Sequence, residues 1–189
     1  MKYRRLGNTG LIVSEVALGT MQFGGKMNMG NLGQEDTTRM VKLALDKGIN
    51  FIDTADVYSL GESETLVGNA LKGVRTEIVL ATKVRLPMSD NLNRSGATRV
   101  NIMREVEASL QRLQTDYIDL YQVHGWDSNT PLEETVRTLD DIAPGEGPLY
   151  RTLQLHVMAG GHRGDAAGAH GIGEIRYCAD VLQPRRPRP

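Results

Sequence analysis

Four ionisable side chains lie at or just beyond the ends of predicted strands. Asp53, Lys83 and His124 each end a different short apolar segment, and Tyr58 follows Asp53 in the next loop. In α/β folds the functional groups gather at the carboxyl ends of the strands. We therefore expect these four side chains to converge on one mouth of the fold.

The chemistry of such a group is proton delivery to a carbonyl oxygen. Tyrosine is a weak acid at neutral pH, but a neighbouring ammonium group stabilises its anion and makes it a better proton donor. We expect Lys83 to be that cation, Asp53 to pair with it, and His124 to hydrogen-bond the oxygen of a bound carbonyl compound. Taken singly, each residue also fits an ordinary structural role. Asp53 would be a capping residue, Lys83 a surface cation, His124 a partly buried imidazole with its hydrogen bonds made, and Tyr58 a packing residue of the loop. The joint placement after consecutive strands makes an active site an equal alternative to these separate roles, and the residues alone leave both open.

The segments that position these residues alternate between short apolar strands and amphipathic helices. The predicted strands are 16–18, 49–52, 78–81 and 118–123, and the predicted helices are about 35–47, 62–71, 100–113 and 130–142. A hairpin is predicted from strands at 3–5 and 11–13, around a glycine-containing turn. Four such strand-helix units predict a parallel sheet covered by helices, which leaves a doubly wound sheet and a (β/α)8 barrel as the alternatives.

Four stretches closely resemble the aldo-keto reductase superfamily. They are VALGTM at 16–21, FIDTADVY at 51–58, ATK at 81–83 and DYIDLYQVH at 116–124. The resemblance runs from Tyr3 to about Ile142. It implies an α/β fold of the TIM-type (β/α)8-barrel kind, with an N-terminal β-hairpin and about four βα units present in this chain.

The resemblance also implies an activity. It identifies Asp53, Tyr58, Lys83 and His124 as a catalytic tetrad of an NADP-dependent oxidoreductase that reduces aldehydes or ketones to alcohols. Tyr58 would donate a proton to the carbonyl oxygen as hydride from NADPH reaches the carbon, and His124 would orient the substrate.

The same resemblance places part of a cofactor site in the first half of the chain. Gly19, Thr20, Met21 and Asp53 would line the nicotinamide end of NADPH. The phosphate and adenine contacts of the family begin at a Gly-x-Ser-Asn strand end, and no such segment occurs before Ile142.

Residues 143–189 differ in composition from those before them. Lys, Ser, Asn, Phe and Trp do not occur after Ile142, whereas Gly, Pro, Arg and His are frequent. A permitted back-translation of 143–156, shifted by one nucleotide, encodes a Gly-x-Ser-Asn segment, and 176–185 can similarly encode a strand like the family's next one. We therefore expect 1–142 to be the N-terminal half of a reductase barrel, 143–189 to be an out-of-frame, poorly ordered tail, and the activity of the truncated chain to be impaired.

The tail also contains glycines and metal-ligating residue types. Its glycines at 168, 171 and 173 follow no predicted strand, so a phosphate-binding loop is not predicted there. The spacings of its potential ligands match no zinc pattern, and no metal site is expected. These potential ligands are His156, His162, His170 and Cys178.

Composition limits the partners that we expect. The net charge of -1 gives no electrostatic reason for binding nucleic acid, and no apolar segment approaches the length of a membrane span. The single cysteine, Cys178, excludes an intramolecular disulfide and fits a reducing compartment, so we expect a cytoplasmic protein. The expected partner is a small-molecule carbonyl substrate, with self-association through the open edges of an incomplete sheet.

Two other interpretations remain open at this point. One is a non-catalytic binding or regulatory subunit, because relatives of the family include cytosolic subunits of potassium channels that keep the barrel and the tetrad. A doubly wound α/β protein is the third interpretation, and it would place Asp53, Tyr58, Lys83 and His124 apart from one another.

Overall fold

A short hairpin precedes the main sheet. The computed structural model describes residues 1–7 and 9–142, and the predictions for 143–189, including the tail's order, metal ligands and glycine loop, lie outside these residues. Strand β1 (Tyr3–Arg5) pairs antiparallel with β2 (Ile12–Ser14), which confirms the predicted hairpin. The hairpin is tied to the rest of the fold by Asn50, whose side chain accepts from the Ser14 N–H and donates to the Ile12 carbonyl.

Four strands and four helices alternate after the hairpin. The strands are β3 (Leu18–Gly19), β4 (Phe51–Asp53), β5 (Val79–Val84) and β6 (Leu120–Val123). The α-helices are α1 (Gln34–Asp46), α2 (Glu62–Ala70), α3 (Arg99–Leu113) and α4 (Leu132–Ile142). Short 3-10 helices span Lys26–Asn28, Tyr58–Gly61 and Arg75–Glu77.

The order of the strands decides between the two predicted architectures. The four strands are parallel and lie in the sequential order β3-β4-β5-β6. Each helix packs against the next one, α1 on α2, α2 on α3 and α3 on α4. A doubly wound sheet reverses its strand order at a switch point and has helices on both faces, neither of which occurs in residues 1–7 and 9–142. The observed order is that of a barrel wall, built from about four βα units as predicted.

The element boundaries differ from the sequence predictions by one or two residues at most ends, as is usual for such predictions. The largest change is in β5, which ends at Val84 instead of residue 81. Strand β3 begins at Leu18 instead of residue 16. Val16 is half exposed, and its carbonyl accepts a hydrogen bond from the Ser14 hydroxyl at 2.7 Å. This local turn occupies the Val16 carbonyl, so the ladder starts two residues later.

The two faces of the sheet have different roles. Side chains alternate along a strand, so neighbouring residues face opposite sides. Ile52, Leu80 and Tyr121 are fully buried and belong to the hydrophobic cluster between sheet and helices. Asp53 and Lys83 lie on the opposite face, where their side chains meet. The apolar core on the helix side therefore holds the strands while the inner face carries the polar site.

The helix layer supplies a stability prediction. Ile102 of α3 is fully buried in the cluster, whereas Val100 of the same helix is more than half exposed. We expect Ile102→Ala to lower the free energy of unfolding by about 2 to 5 kcal/mol, because it removes buried methyl groups and leaves a cavity. Val100→Ala should change it by less than about 0.5 kcal/mol. Urea unfolding followed by circular dichroism measures both, and equal losses would contradict the described core.

Candidate active site

The ammonium group of Lys83 is the centre of the polar cluster. Its Nζ donates to Asp53 Oδ2 at 2.6 Å, to the Thr54 carbonyl at 2.8 Å and to Tyr58 Oη at 3.3 Å. The side chain of Lys83 is only 5% exposed, and that of Asp53 is 31% exposed. An ammonium group has three N–H donors, so these three acceptors match its hydrogen-bonding capacity. The predicted contacts among Asp53, Tyr58 and Lys83 are therefore present in the structure.

The loop that carries Tyr58 extends the pairing of β4 with β5. The N–H groups of Thr54 and Asp56 donate to the carbonyls of Ala81 and Lys83 at 2.9 and 3.0 Å. The Tyr58 N–H then donates to the Ala55 carbonyl at 3.2 Å, which turns the chain over the end of β5. The Tyr58 ring consequently lies with its centroid 5.0 Å from Lys83 Nζ.

A left-handed turn follows Tyr58 directly. Ser59, Leu60 and Gly61 have φ angles of 49°, 53° and 84°. For the two residues with side chains this conformation costs about 1 to 3 kcal/mol each. At Gly61 the φ angle favours glycine, and a Cβ atom would lie 2.6 Å from Cδ of Arg112, whose side chain would have to shift. The turn ends where α2 begins, and it fixes the orientation of the backbone at Tyr58.

A buried charged network holds α2 against the sheet behind the site. Glu64, which is fully buried, accepts from the Thr82 hydroxyl and from Arg112 Nε, each at 2.6 Å. Thr82 precedes Lys83 on β5, and Glu64 belongs to α2, which directly follows the loop that carries Tyr58. This contact therefore links the strand of Lys83 to the helix after Tyr58. Asp56 is also fully buried; this burial, followed by the charges of Glu64 and Glu105, raises its pKa well above the ordinary value.

His124 lies on the other side of Tyr58. The two rings are 5.8 Å apart between centroids and meet edge to face at 79°. Burial, followed by the charge of Lys83, lowers the pKa of His124, although Asp53 opposes the change. The imidazole is therefore neutral at neutral pH, with one N–H donor and one acceptor nitrogen. The backbone N–H of His124 donates to the Val84 carbonyl at 2.8 Å, which places the ring at the carboxyl end of β5.

The residues predicted for the nicotinamide end of a cofactor site lie beside Asp53. Gly19 pairs with Asp53 across the ladder, and a Cβ atom at Gly19 would meet no atom within 4 Å. Met21 is half exposed. Thr20, in contrast, is buried: its N–H and hydroxyl both approach the Asp53 carbonyl, and its carbonyl accepts from Ser63. Gly19 and Met21 thus offer open surface for a flat ring, and Thr20 fixes the backbone between them.

Sequence reasoning missed two polar side chains near the tetrad. Gln122 donates from Nε2 to Asp53 Oδ1 at 3.3 Å, so both carboxylate oxygens of Asp53 have partners. Alternation along β6 places Gln122 on the same face as His124, a signal that was available in the sequence. Arg85 is the second: it directly follows Val84, whose carbonyl accepts from the His124 N–H, and its charge contributes to the lowered pKa of His124.

The backbone of Arg85 is in an unusual conformation. Its φ angle is 127°, a region that residues with a side chain rarely adopt. The Arg85 carbonyl accepts from the Gly96 N–H at 2.8 Å, and its Nε atom is buried without a hydrogen-bond partner. Strain of this kind persists only where the surroundings enforce it, and it is frequent at functional sites.

The arrangement can deliver a proton to an oxygen atom placed between Tyr58 and His124. A buried cation holds the phenol oxygen, and a neutral imidazole supplies a second hydrogen-bonding group. Within residues 1–7 and 9–142 no cluster of three or more His, Cys, Asp and Glu side chains is placed to hold a metal ion. In the same part of the chain no helix has both the length and the apolar character that spanning a bilayer requires.

Comparison with known proteins gives a family match. The sequence matches the model of the aldo/keto reductase family over residues 15–145. This range includes the four residues of the polar cluster and the segment 19–21.

Individual relatives cover most of this chain but only part of their own length. Aldo-keto reductase YhdN of Bacillus subtilis (strain 168) is 44% identical over 144 residues, which cover 75% of this chain and 43% of that protein. Versiconal hemiacetal acetate reductase of Aspergillus parasiticus is 41% identical over 171 residues, covering 79% and 50% respectively. The chain spans about half the length of the curated relatives that it matches.

A solved structure is similar in fold. Aldo-keto reductase AKR11C1 from Bacillus halodurans, in its holo form, superposes with a TM-score of 0.69 at 36% identity. The match covers 84% of this chain and 51% of that one. This similarity confirms the predicted TIM-barrel kind of fold for the described residues.

The position of Arg85 gives a prediction about His124. We expect Arg85→Gln to raise the pKa of His124, because the substitution removes a positive charge that disfavours the imidazolium. The pH titration of the His124 ring resonances by NMR measures this change. Arg137→Gln, which removes an exposed guanidinium on α4, should leave the titration unchanged. An unchanged midpoint in Arg85→Gln would show that the guanidinium does not lie near His124.

Proposed function

The chain belongs to the aldo/keto reductase family, and on that premise we propose that it reduces aldehydes or ketones to alcohols with NADPH as the hydride donor. The observation that supports this proposal most strongly is the triple hydrogen bonding of the Lys83 ammonium group. The contacts of Lys83 lie in the half of the family fold that this chain matches. That the whole protein reduces carbonyl compounds is part of the proposal.

The direction of one hydrogen bond makes Tyr58 the proton donor in this proposal. Lys83 Nζ can only donate, so the Tyr58 oxygen is the acceptor in their contact at 3.3 Å. The phenol proton is then free to be donated to a substrate oxygen. As that proton leaves, the adjacent ammonium stabilises the phenolate, and Asp53 keeps the ammonium charged and in place.

His124 would orient the carbonyl group. Its neutral imidazole can donate one hydrogen bond to the carbonyl oxygen without competing with Tyr58 for the role of acid. The edge-to-face contact with Tyr58 supports this role, because it holds the two side chains close enough to share one substrate oxygen. A donor placed where negative charge develops on the oxygen stabilises the transition state more than the ground state.

The described residues fit the nicotinamide end of the cofactor. Gly19 offers backbone surface that no side chain covers, and Met21 offers an exposed apolar side chain beside it. NADPH, when bound, supplies the hydride that reaches the carbonyl carbon. Asp53 lies between these residues and Lys83, so it would position both the nicotinamide end of the cofactor and the lysine side chain.

We propose a small-molecule carbonyl compound as the substrate and the cytoplasm as the location. The single cysteine of the chain fits a reducing compartment.

Tyr58→Phe tests the catalytic assignment. We expect the substitution to lower the kcat for reduction of benzaldehyde by roughly 100-fold to 10,000-fold, because it removes the general acid but keeps the ring. Oxidation of NADPH followed by absorbance measures the rate. Tyr3→Phe is the matched control, since Tyr3 donates only to the Gly48 carbonyl in the hairpin region. Equal, measurable rates for Tyr58→Phe and the wild type would contradict the assignment of Tyr58 as the acid. Absence of turnover in the wild type would favour a binding subunit.

We also propose that the chain self-associates through its sheet edges. In the described residues β3 pairs only with β4, and β6 pairs only with β5, so each has unpaired backbone groups on one side. Sedimentation velocity should show a mass above the 20.8 kDa of one chain, increasing with concentration. A single species of monomer mass at all concentrations would contradict this proposal.

A further inference from the structure

Arg85 is a partly buried arginine without the carboxylate partner that most arginines of the described residues have. Within residues 1–7 and 9–142 its guanidinium forms no hydrogen bond or ion pair, and its Nε atom is buried. Seven other arginines in that part of the chain pair with a carboxylate: Arg4, Arg39, Arg75, Arg94, Arg99, Arg112 and Arg137. Arg5 and Arg104, which form no such pair, are exposed, whereas Arg85 is partly buried. A partly buried guanidinium is stabilised by an anion, so Arg85 is suited to bind one from outside the chain.

The charge of Arg85 acts at the mouth of the active site. Arg85 directly follows Val84, whose carbonyl accepts from the His124 N–H, and its own carbonyl accepts from the N–H of Gly96. The next residue, Ala97, donates to Asp127. The charge of Arg85 also lowers the pKa of both His124 and Asp127. Asp127 follows His124 by three residues in the loop after β6. Arg85 itself comes two residues after Lys83, at the end of β5. An anion held by Arg85 would therefore lie beside the substrate oxygen that His124 is proposed to orient.

Asp127 does not serve as the missing partner. Its Oδ2 accepts from the Ala97 N–H at 2.8 Å and from the Thr130 hydroxyl at 2.7 Å, and its Oδ1 accepts from the Asn129 N–H at 3.0 Å. Partial burial alone would raise the pKa of Asp127, but these hydrogen bonds, with the Arg85 charge, lower it. The carboxylate is committed to closing its own loop and makes no direct contact with the guanidinium.

We propose that Arg85 determines substrate specificity by binding a carboxylate of the substrate, so that the preferred substrates are carbonyl compounds that also carry a carboxylate group. This inference rests on the proposed reductase function and names the substrate class of the same site. The planar guanidinium matches a carboxylate in a two-point contact, which a lysine cannot reproduce. The Gly96 N–H, which donates to the Arg85 carbonyl at 2.8 Å, holds the strained backbone at φ 127°, so the start of the side chain is fixed before any ligand binds.

Binding of benzoate to the full 189-residue chain tests the inference without requiring turnover. Benzoate and benzamide have nearly the same shape and differ in charge, and chemical shifts of the His124 ring report binding at the site. We expect wild-type chain to bind benzoate more tightly than benzamide. Arg85→Gln should weaken benzoate binding on the order of 10-fold to 100-fold and leave benzamide unaffected. Arg85→Lys should be intermediate, and Arg137→Gln should behave as wild type.

Three results would overturn the inference. They are equal affinity of the wild type for benzoate and benzamide, unchanged benzoate affinity in Arg85→Gln, and an Arg85→Gln defect confined to NADP⁺ binding, which would assign the guanidinium to a cofactor phosphate. Tyr58→Phe should keep the benzoate affinity of the wild type. If Arg85→Gln loses benzoate binding and the wild type reduces no carbonyl compound, the anion-binding role of Arg85 stands. Only the proposed reductase function is then contradicted.

Discussion

The described site depends on the burial of one ammonium group. Moving a charged amine out of water costs several kcal/mol unless its hydrogen bonds and its charge are compensated. Lys83 meets this requirement with a carboxylate, a backbone carbonyl and a phenol oxygen, contributed by β4 and the loop that follows it. Because the third acceptor is Tyr58, the same contacts that allow the lysine to be buried also place the phenol. Stability and the proposed acid chemistry therefore have the same structural origin.

The sheet makes this arrangement possible by separating two kinds of surface. On the helix side Ile52 and Leu80 pack in the apolar cluster, and Glu64 links β5 to α2 and α3 through Thr82 and Arg112. These contacts hold the strands and the start of α2 in register, so the strained turn after Tyr58 is maintained. The inner face is then free to carry groups that would be unfavourable in an apolar core.

The electrostatics of the inner face are unevenly compensated. Lys83 is neutralised locally by Asp53, and His124 is neutral because burial and positive charge disfavour its protonated form. Arg85 adds a positive charge at the mouth that no described carboxylate contacts directly. In a partly desolvated site such a charge favours anionic ligands over neutral ones of the same shape. Selectivity would thus come from a residue outside the proton-donating group.

Much of this architecture was predictable from local sequence patterns. The hairpin, the four strands and the four helices follow from apolar periodicity and capping signals, and Asp53, Lys83 and His124 were identified because each ends a strand. Tyr58 came with them through its loop, and the family resemblance assigned their roles. Such features depend on residues close together in the chain, which is why they can be read from one sequence.

Tertiary structure decided what depends on distant residues. The sequential strand order, which separates a barrel wall from a doubly wound sheet, is set by how helices pack on one another. The Thr54 carbonyl completes the ammonium's hydrogen bonds, and only the folded backbone brings it there. The positive φ of Arg85 and the charge that it places beside His124 follow from loop closure by Gly96, eleven residues away. Local propensity carries no information on such contacts, because their energies exist only once the strands are assembled.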